Sequence, residues 1–337
     1  MAVERPAPGR PTLRQVAALS GVSLKTASRA LNGEPYVAAA TADKVRVAAA
    51  QLGFRRNAIA RDLRAGARSS LVGLIIGDLA NPFYSRIARG AERRLRAEGL
   101  QLISASSDEE PELEQTLVTE MLERRVSAML IVTIVQEHDY LDAERRHGLP
   151  MVFLDRAPQD IIADTIVLDN DGGVHQAVEH LLRHQHRRIG LVGDLSRLST
   201  HRERVAAFGS AMSAAGIANW QRFVRSDSHD VEAAERAVCD LLELRPAPTA
   251  LITTNNRITT GALRAIRNLA DPPALVGFDD FDLADVLGVT VIAHDPERMG
   301  ALGADLIVSR LNGEHGPARR MLLPTELIAR GSGERQP

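Results

Sequence analysis

The chain has 337 residues, a formal net charge of −2, 45% hydrophobic and 25% charged residues, which is ordinary globular usage and, taken whole, speaks against a nucleic-acid protein. No run of 18 apolar residues appears, so no membrane span is expected, and the opening MAVERPAPGR lacks the apolar core of a secretory signal. The single cysteine, Cys239, has no partner for an internal disulfide; a reduced cytoplasm is the expected compartment, with Cys239 as core filler in a helix.

The charge total conceals a division. Residues 1–68 hold 12 basic and 4 acidic residues, or +8, which leaves −10 for the rest. A basic head on an acidic body suggests a nucleic-acid-binding module, provided the head folds and is not merely a solvated tail. Residues 1–11 contain three prolines and read as a flexible arm. A helix is expected over Leu13–Leu19, with Thr12 and Gln15 as a capping box. Gly21 breaks it, Ser23 caps a second helix over Leu24–Leu31, and Thr41 is the expected cap of a third over Ala42–Leu52. Asn57 begins a fourth short segment that stops at Gly66.

From Ser70 the texture changes. Strands are expected at Leu71–Ile76, Leu100–Ala105, Ala128–Val132, Met151–Leu154, Thr165–Leu168, Ile189–Val192, Thr249–Ile252, Ala274–Val276 and Thr290–Ile292. Helices are expected to begin near Pro82, Pro111, Gly172, His201, Val231, Arg257 and Pro296. The alternation implies parallel sheets covered on both faces, and the strand number fits two doubly wound α/β lobes with a cleft between them.

The segment TLRQVAALSGVSLKTASRALN carries the most information. Val16, Ala17, Leu19, Val22, Ala27 and Leu31 have the spacing of two small helices packed across a turn at Gly21. That is a helix-turn-helix, although helical hairpins that merely pack share the spacing. Its second helix presents Leu24, Lys25, Thr26 and Arg29 near its N-terminus, the part that enters a major groove. Arg29 and Lys25 suit guanine O6 and N7, and Leu24 a thymine methyl. Thr12, Ser23 and Ser28 are candidate phosphate partners.

The chain resembles the lactose-repressor/galactose-repressor family of bacterial transcription regulators. The resemblance rests on TLRQVAALSGVSLKTASRALNG, GFRRNAIARDLRAG, VGLIIGDLANPFY, VFLDR, HLLRHQHRRIGLVGD, RVAAFGSAM and VGFDD, in the family's order over about residues 12–330. It implies an all-α head, 12–56, then a hinge helix and linker, 57–68. It further implies an effector-binding and dimerisation body, 69–337, built like the periplasmic binding proteins. The N-lobe is expected at about 69–161 and 293–320, and the C-lobe at about 162–292 and 321–332. In the hinge, Asn57, Leu63 and Arg64 are implied DNA contacts, Leu63 being the wedge that inserts between base steps. Arg56 and Asp62 depart from the family's usual residues there.

By the same resemblance, effector contacts come from Phe83, Tyr84, Asp155, Arg156, Thr200, Arg204, Asn255 and Asp279. Asp accepts from hydroxyl groups, Arg donates to them, Asn does both, and an aromatic ring covers a sugar face. Packing roles compete: Phe83 and Tyr84 also suit a subunit contact, and Asp155–Arg156 an interlobe salt bridge. Ser228 and Leu198 depart from purine-binding relatives, which favours a sugar or sugar derivative. His180, His184 and His186 have metal-like spacing, but the segment matches a helix-to-strand connection of the family, so neither metal nor cofactor is expected. The expected function is a DNA-binding regulator, foremost a repressor, acting as a homodimer or higher oligomer on a pseudo-palindromic operator under control of a small effector. Leu71 to Arg96 is the expected dimer seam. An activator of the same fold is the alternative, and a cytoplasmic solute-binding protein or an enzyme is a weaker one.

Overall fold

The computed structural model describes residues 11–54 and 69–337. They form two compact units that divide between Ser69 and Ser70.

The first unit contains α1 (Leu13–Ser20), α2 (Leu24–Asn32) and α3 (Ala39–Leu52). The capping box forms as expected: Thr12 N–H donates to Gln15 Oε1 at 2.7 Å, and Gln15 N–H donates to Thr12 Oγ1 at 3.4 Å. Gly21 closes α1 at φ 68°, a left-handed conformation that glycine adopts without cost from a Cβ. Ser23 Oγ accepts Thr26 N–H at 3.1 Å and starts α2. The third helix differs from expectation. It begins at Ala39, after an Ala38 that offers no capping side chain, and Thr41 lies inside its first turn. The alanines are strong helix formers and carry the helix past the cap signal. Val16, Ala17, Ala27, Ala30, Val45, Ala48 and Ala49 form the core; their small size lets three short helices approach closely. Leu19, expected among the packing residues, is 52% exposed. Leu13, Val16, Ala17 and Ser20 fill the i, i+3, i+4, i+7 stripe of α1, and Leu19 falls outside it.

The second unit has two six-stranded sheets. Its strands are β1 (Leu71–Ile76), β2 (Gln101–Ser106), β3 (Ala128–Ile131), β4 (Met151–Leu154), β5 (Asp164–Leu168), β6 (Ile189–Val192), β7 (Val224–Arg225), β8 (Ala250–Thr253), β9 (Ala274–Phe278), β10 (Thr290–Ala293), β11 (Arg320–Leu323) and β12 (Glu326–Ile328). The first sheet runs β11-β5-β4-β3-β1-β2, all parallel. The second runs β12-β10-β9-β8-β6-β7, parallel except at β12. Most inner strands are buried along their whole length, which is why they read as continuous apolar runs. Strand order reverses between β1 and β3 in one lobe and between β6 and β8 in the other. Ligand sites form beyond the carboxyl ends of strands at such reversals.

Around the sheets lie α4 (Pro82–Ala97), α5 (Pro111–Glu123), α6 (Asp142–Arg146), α7 (Asn170–Arg183), α8 (Ser199–Ala214), α9 (Val231–Leu242), α10 (Asn256–Ile266) and α11 (Pro296–Leu311). Asn81 caps α4, accepting Phe83 N–H at 3.0 Å, with Pro82 in the first turn. Helices α4 and α11 touch through backbone: a Cβ on Gly90 would lie 2.0 Å from Glu297 O, and one on Gly300 would lie 2.0 Å from Ile87 O.

Two expectations need correction. The expected C-lobe includes residues 164–168 and 321–323, but β5 and β11 pair with each other in the first sheet. The chain therefore changes lobe after Leu168, between Ala293 and Pro296, and after Leu323. A fully buried strand looks the same in either sheet, so sequence alone does not reveal its partner. Cys239 is exposed, not core filler. Ala234, Val238 and Leu241 point inward from α9, and Cys239 sits about 100° further round the helix than Val238.

Candidate functional site

In the head, the second helix presents a polar outer face. Lys25 and Arg29 are exposed, as is Leu24 at 48%, while Thr26 and Ser28 are half-buried. Ala27 and Ala30 on the opposite face are buried against α1 and α3. Ser23 Oγ lies 2.8 Å from Thr26 Oγ1 and Thr12 is spent on its capping box, so these hydroxyls hold helix N-termini. Arg29 Nε lies 3.3 Å from Glu34 Oε2, an exposed pair within the head. Asn57, Leu63 and Arg64 lie outside the described residues.

In the body, all eight expected effector residues line one cleft between the lobes: Phe83, Tyr84, Asp155, Arg156, Thr200, Arg204, Asn255 and Asp279. Asn81, Asp194, His201 and Thr254 complete it. The fold explains the convergence. Asp155 and Asp279 follow β4 and β9, Asp194 follows β6, Asn255 follows β8, and Phe83 and Tyr84 open α4. The free space is only about 30 Å³, near the volume share of one water molecule. Anything much larger than a water molecule therefore enters only as the walls move apart.

On the N-lobe side a buried network fixes three side chains. Arg156 donates through Nη1 to Glu109 Oε2 at 2.5 Å and through Nη2 to Glu109 Oε1 at 2.8 Å. Its Nη2 also donates to Tyr84 Oη at 2.9 Å, and Tyr84 donates to Glu109 Oε1 at 3.2 Å. Burial raises the Tyr84 hydroxyl well above its ordinary range despite the opposing pull of Arg156, so it stays a donor. Burial works against the charge of Arg156, but the Glu109 carboxylate outweighs it and holds the guanidinium protonated. The interlobe role considered for Arg156 is thus not adopted: its bidentate partner belongs to its own lobe. Burial pushes the Asp155 carboxyl above its ordinary value, with Arg156 and Arg204 opposing.

On the C-lobe side, Arg204 donates from Nε to Asn170 Oδ1 at 2.9 Å and from Nη1 to Thr254 O. Its guanidinium lies 3.8 Å from the centroid of the Phe278 ring. These partners are uncharged, so Arg204 keeps its charge for the cleft. Asp279 accepts from His294 Nε2 at 2.8 Å. Asn255 caps α10 through Ile258 N–H at 2.8 Å and donates to Asp194 Oδ2 at 2.8 Å. Asp194 also accepts from His229 Nδ1 at 2.8 Å. Burial pushes the Asp194 carboxyl up, but the His229 hydrogen bond and charge overcome it and hold the pKa below its ordinary value. His201 is lowered by burial, with Asp194 opposing.

Buried polar atoms without a protein partner concentrate here. Arg156 Nε, His201 Nδ1 and His294 Nδ1 are among five such side-chain atoms in the described residues. Native structures rarely leave such atoms unsatisfied, and a ligand is one way to satisfy them. Across the cleft, Arg257 Nη1 pairs with Asp78, Asn256 Nδ2 donates to Asn81 Oδ1 at 2.9 Å, and Arg197 Nη2 donates to Glu109 O at 2.7 Å. These contacts tie the lobes to each other.

Sequence reasoning missed Glu109, Asp194, His201 and His294. Asp194 had a signal: the strand-end run Gly-Asp at 77–78 recurs at 193–194, after β1 and β6. The others sit on loops and a helix with no local pattern.

A family model described as bacterial regulatory proteins, lacI family, matches residues 12–57, and one described as a periplasmic binding protein-like domain matches residues 178–333. The chain is 32% identical over 335 residues to the HTH-type transcriptional regulator PtxS of Pseudomonas aeruginosa, covering 97% of each. Among solved structures it matches a lac repressor dimer bound to operator and the anti-inducer ONPF, with 26% identity, 96% and 99% coverage and a TM-score of 0.80. It also matches a complex of the transcriptional regulator CelR with cellobiose, with 28% identity, 96% and 100% coverage and a TM-score of 0.71. The chain belongs to the lacI family of bacterial regulatory proteins, DNA-binding regulators of transcription.

Proposed function

We propose that the chain represses transcription as a homodimer on a pseudo-palindromic operator, and that a sugar or sugar derivative bound between the lobes changes its grip on DNA. Each α2 enters one major groove, with Lys25 and Arg29 reading guanine and Leu24 and Thr26 beside them. Ser28 and the helix N-termini that Thr12 and Ser23 cap face phosphates, and Asn57, Leu63 and Arg64 serve the hinge. The division into head, hinge at 57–68 and two-lobed body follows from this reading. DNA reading places the protein in the cytoplasm, with the chromosome.

One observation carries the effector reading: three carboxylates, two amides, two guanidinium groups and the rings of Phe83 and Tyr84 converge on one interlobe cleft. That donor set suits a polyhydroxyl molecule, and we read the cleft as a binding site, not a catalytic one. The cellobiose-bound CelR structure and the operator-bound lac repressor dimer support both halves of the proposal. Binding must part the cleft walls, so the ligand favours one lobe arrangement over another and shifts the DNA equilibrium by that difference. For the dimer seam we favour α4 over β1, because β1 lies inside its sheet between β2 and β3.

The test is a calorimetric screen of mono- and disaccharides against the full chain, followed by gel shifts on promoter DNA from its genomic neighbourhood. The expected result is one sugar whose addition changes operator affinity about tenfold or more, the order of an allosteric coupling of 1–3 kcal/mol. A sugar that binds while leaving operator affinity untouched defeats the regulatory reading.

A further inference from the structure

Far along α7 from the cleft, His180 and His184 stand four residues apart on one helix face, their ring centroids 4.8 Å apart. Glu334 meets them from a different part of the chain. One ligand atom from each of the three residues lies within 4.8 Å of the others. His180 is buried, and His184 and Glu334 are half-buried. His180 Nε2 approaches Glu334 Oε1 to 2.5 Å, yet the atom is buried and makes no hydrogen bond of proper geometry. An imidazole nitrogen and a carboxylate oxygen so close, with a second imidazole beside them, are three donor atoms that one metal ion can take up together once the contact opens slightly.

The surroundings are built to present these atoms. Glu334 Oε2 is held by Gly331 N–H at 2.5 Å, and the Thr290 hydroxyl lies 3.0 Å from Oε2 and 3.2 Å from Oε1, which fixes the carboxylate with Oε1 towards His180. Outer hydrogen bonds of this kind orient metal ligands. Gly333 keeps the space open: a Cβ there would lie 3.1 Å from His180 Nε2. From these observations we propose that His180, His184 and Glu334 form a binding site for a divalent transition metal, zinc foremost, that staples segment 331–335 to the end of α7.

Two imidazoles and one carboxylate are a zinc donor set, with a water as fourth ligand. Tetrahedral geometry at zinc bond lengths of about 2.0–2.2 Å sets ligand atoms about 3.3 Å apart. The His180–Glu334 contact at 2.5 Å needs to open by about 0.8 Å to reach that spacing, and the widest separation, up to 4.8 Å, needs to close by up to about 1.5 Å, within reach of a turn of the half-buried His184 ring. Magnesium and calcium prefer all-oxygen sites and do not suit this set. The segment so held also runs through the second sheet: Leu275 N–H donates to Ser332 O at 2.9 Å, and Thr290 N–H donates to Ser332 Oγ at 2.9 Å. Metal therefore joins a helix end to the strand ends of β9 and β10. The sequence showed the two histidines, but their third partner lies 150 residues further on and was invisible without the fold.

The full chain, stripped with chelator and free of any affinity tag, is titrated with zinc while bound metal is counted by atomic emission and unfolding is followed by heat. One zinc per chain is expected, with Tm raised by about 4–10 °C at a hundredfold excess over Kd. Magnesium leaves Tm unchanged. His184→Ala and Glu334→Gln each lose the bound zinc and the Tm rise, while the metal-free Tm of His184→Ala stays near that of the wild type. His175→Ala, a control on the same helix, keeps both. Wild-type chain that holds no stoichiometric zinc overturns the proposal, as does full zinc binding by both His184→Ala and Glu334→Gln.

Discussion

Asp155 and Asp279 hold equivalent places in the two lobes. Each is the first residue past a fully buried strand, each has positive φ (64° and 70°), and each donates its backbone N–H to the next strand, to Ile166 O at 2.8 Å and to Ile292 O at 3.0 Å. Non-glycine residues held in this region are uncommon and gather at functional sites. The turn aims both carboxylates into the cleft from opposite sides. Asp279→Asn keeps the turn, since asparagine tolerates the left-handed region, but removes the charge. Effector affinity should fall by about 10- to 100-fold, the worth of a hydrogen bond to a charged group, with effector-free operator binding unchanged. Calorimetry with the identified sugar and a gel shift without it measure the two quantities.

The Arg156–Glu109 pair predicts a stability loss. Both side chains are buried, so removing the carboxylate leaves an uncompensated guanidinium in low dielectric. Glu109→Gln should destabilise the body by about 3–5 kcal/mol, a fall in Tm of roughly 10 °C. Adding Arg156→Met should recover part of that loss, because the orphaned charge goes with it. A Glu109→Gln melt within 2 °C of wild type, roughly 1 kcal/mol at this size, would count against the pair.

A pH dependence follows from His229 and Asp194. The Asp194 hydrogen bond raises the His229 pKa above its ordinary value of 6.5. That contribution is fully present below 6.5 and is lost as pH rises through the folded value. Asp194 is lowered below its ordinary 3.8 by His229, against burial, so its contribution is present above 3.8 and lost as pH falls through the folded value. Both coexist between about pH 4 and 6.5. His229→Gln keeps a neutral donor and removes the charge. The Tm gap between wild type and this variant should be wide at pH 5.5 and narrow at pH 8.5; an equal gap at both would remove the charge from the account.

In the head, Arg29 pairs with Glu34, and the proposed DNA contact competes with that pair. Arg29→Ala should weaken operator binding by about 5- to 150-fold and relax preference at one base position, as loss of a bidentate guanine contact does. Glu34→Gln should strengthen it by about two- to fivefold, because an exposed pair is worth at most about 1 kcal/mol to the free protein. Fluorescence anisotropy at fixed salt separates the two effects, and a uniform loss across operator variants would reassign Arg29 to phosphate.

The sequence disclosed what is local. The Thr12–Gln15 box, the Asn81-Pro82 start of α4 and the unbroken apolar runs of β1, β4 and β6 each rest on neighbours a few residues away. Family motifs added the eight cleft residues. What it withheld depends on pairing across long separations. Glu109 becomes a partner of Arg156 only once β2 and β4 share a sheet, and β5 declares its lobe only beside β11. The start of α3 departs from the cap signal at Thr41 for a different reason: a run of alanines extends the helix beyond it.

The backbone contact of Gly90 and Gly300 bears on how motion travels. Gly90 lies against the main chain of α11 and Gly300 against that of α4, while Arg89, Arg93 and Arg94 bridge the exposed edge of the pair to Glu297 and Asp305. Rotamer changes absorb small displacements in a helix interface; at these two glycines main chain meets main chain and there is nothing to rotate. His294, bonded to Asp279 in the cleft, sits two residues before Pro296 opens α11. A displacement that begins at that histidine meets main chain at those two points, so α11 carries α4 with it, and the outer surface of α4 is the one we propose for the partner subunit.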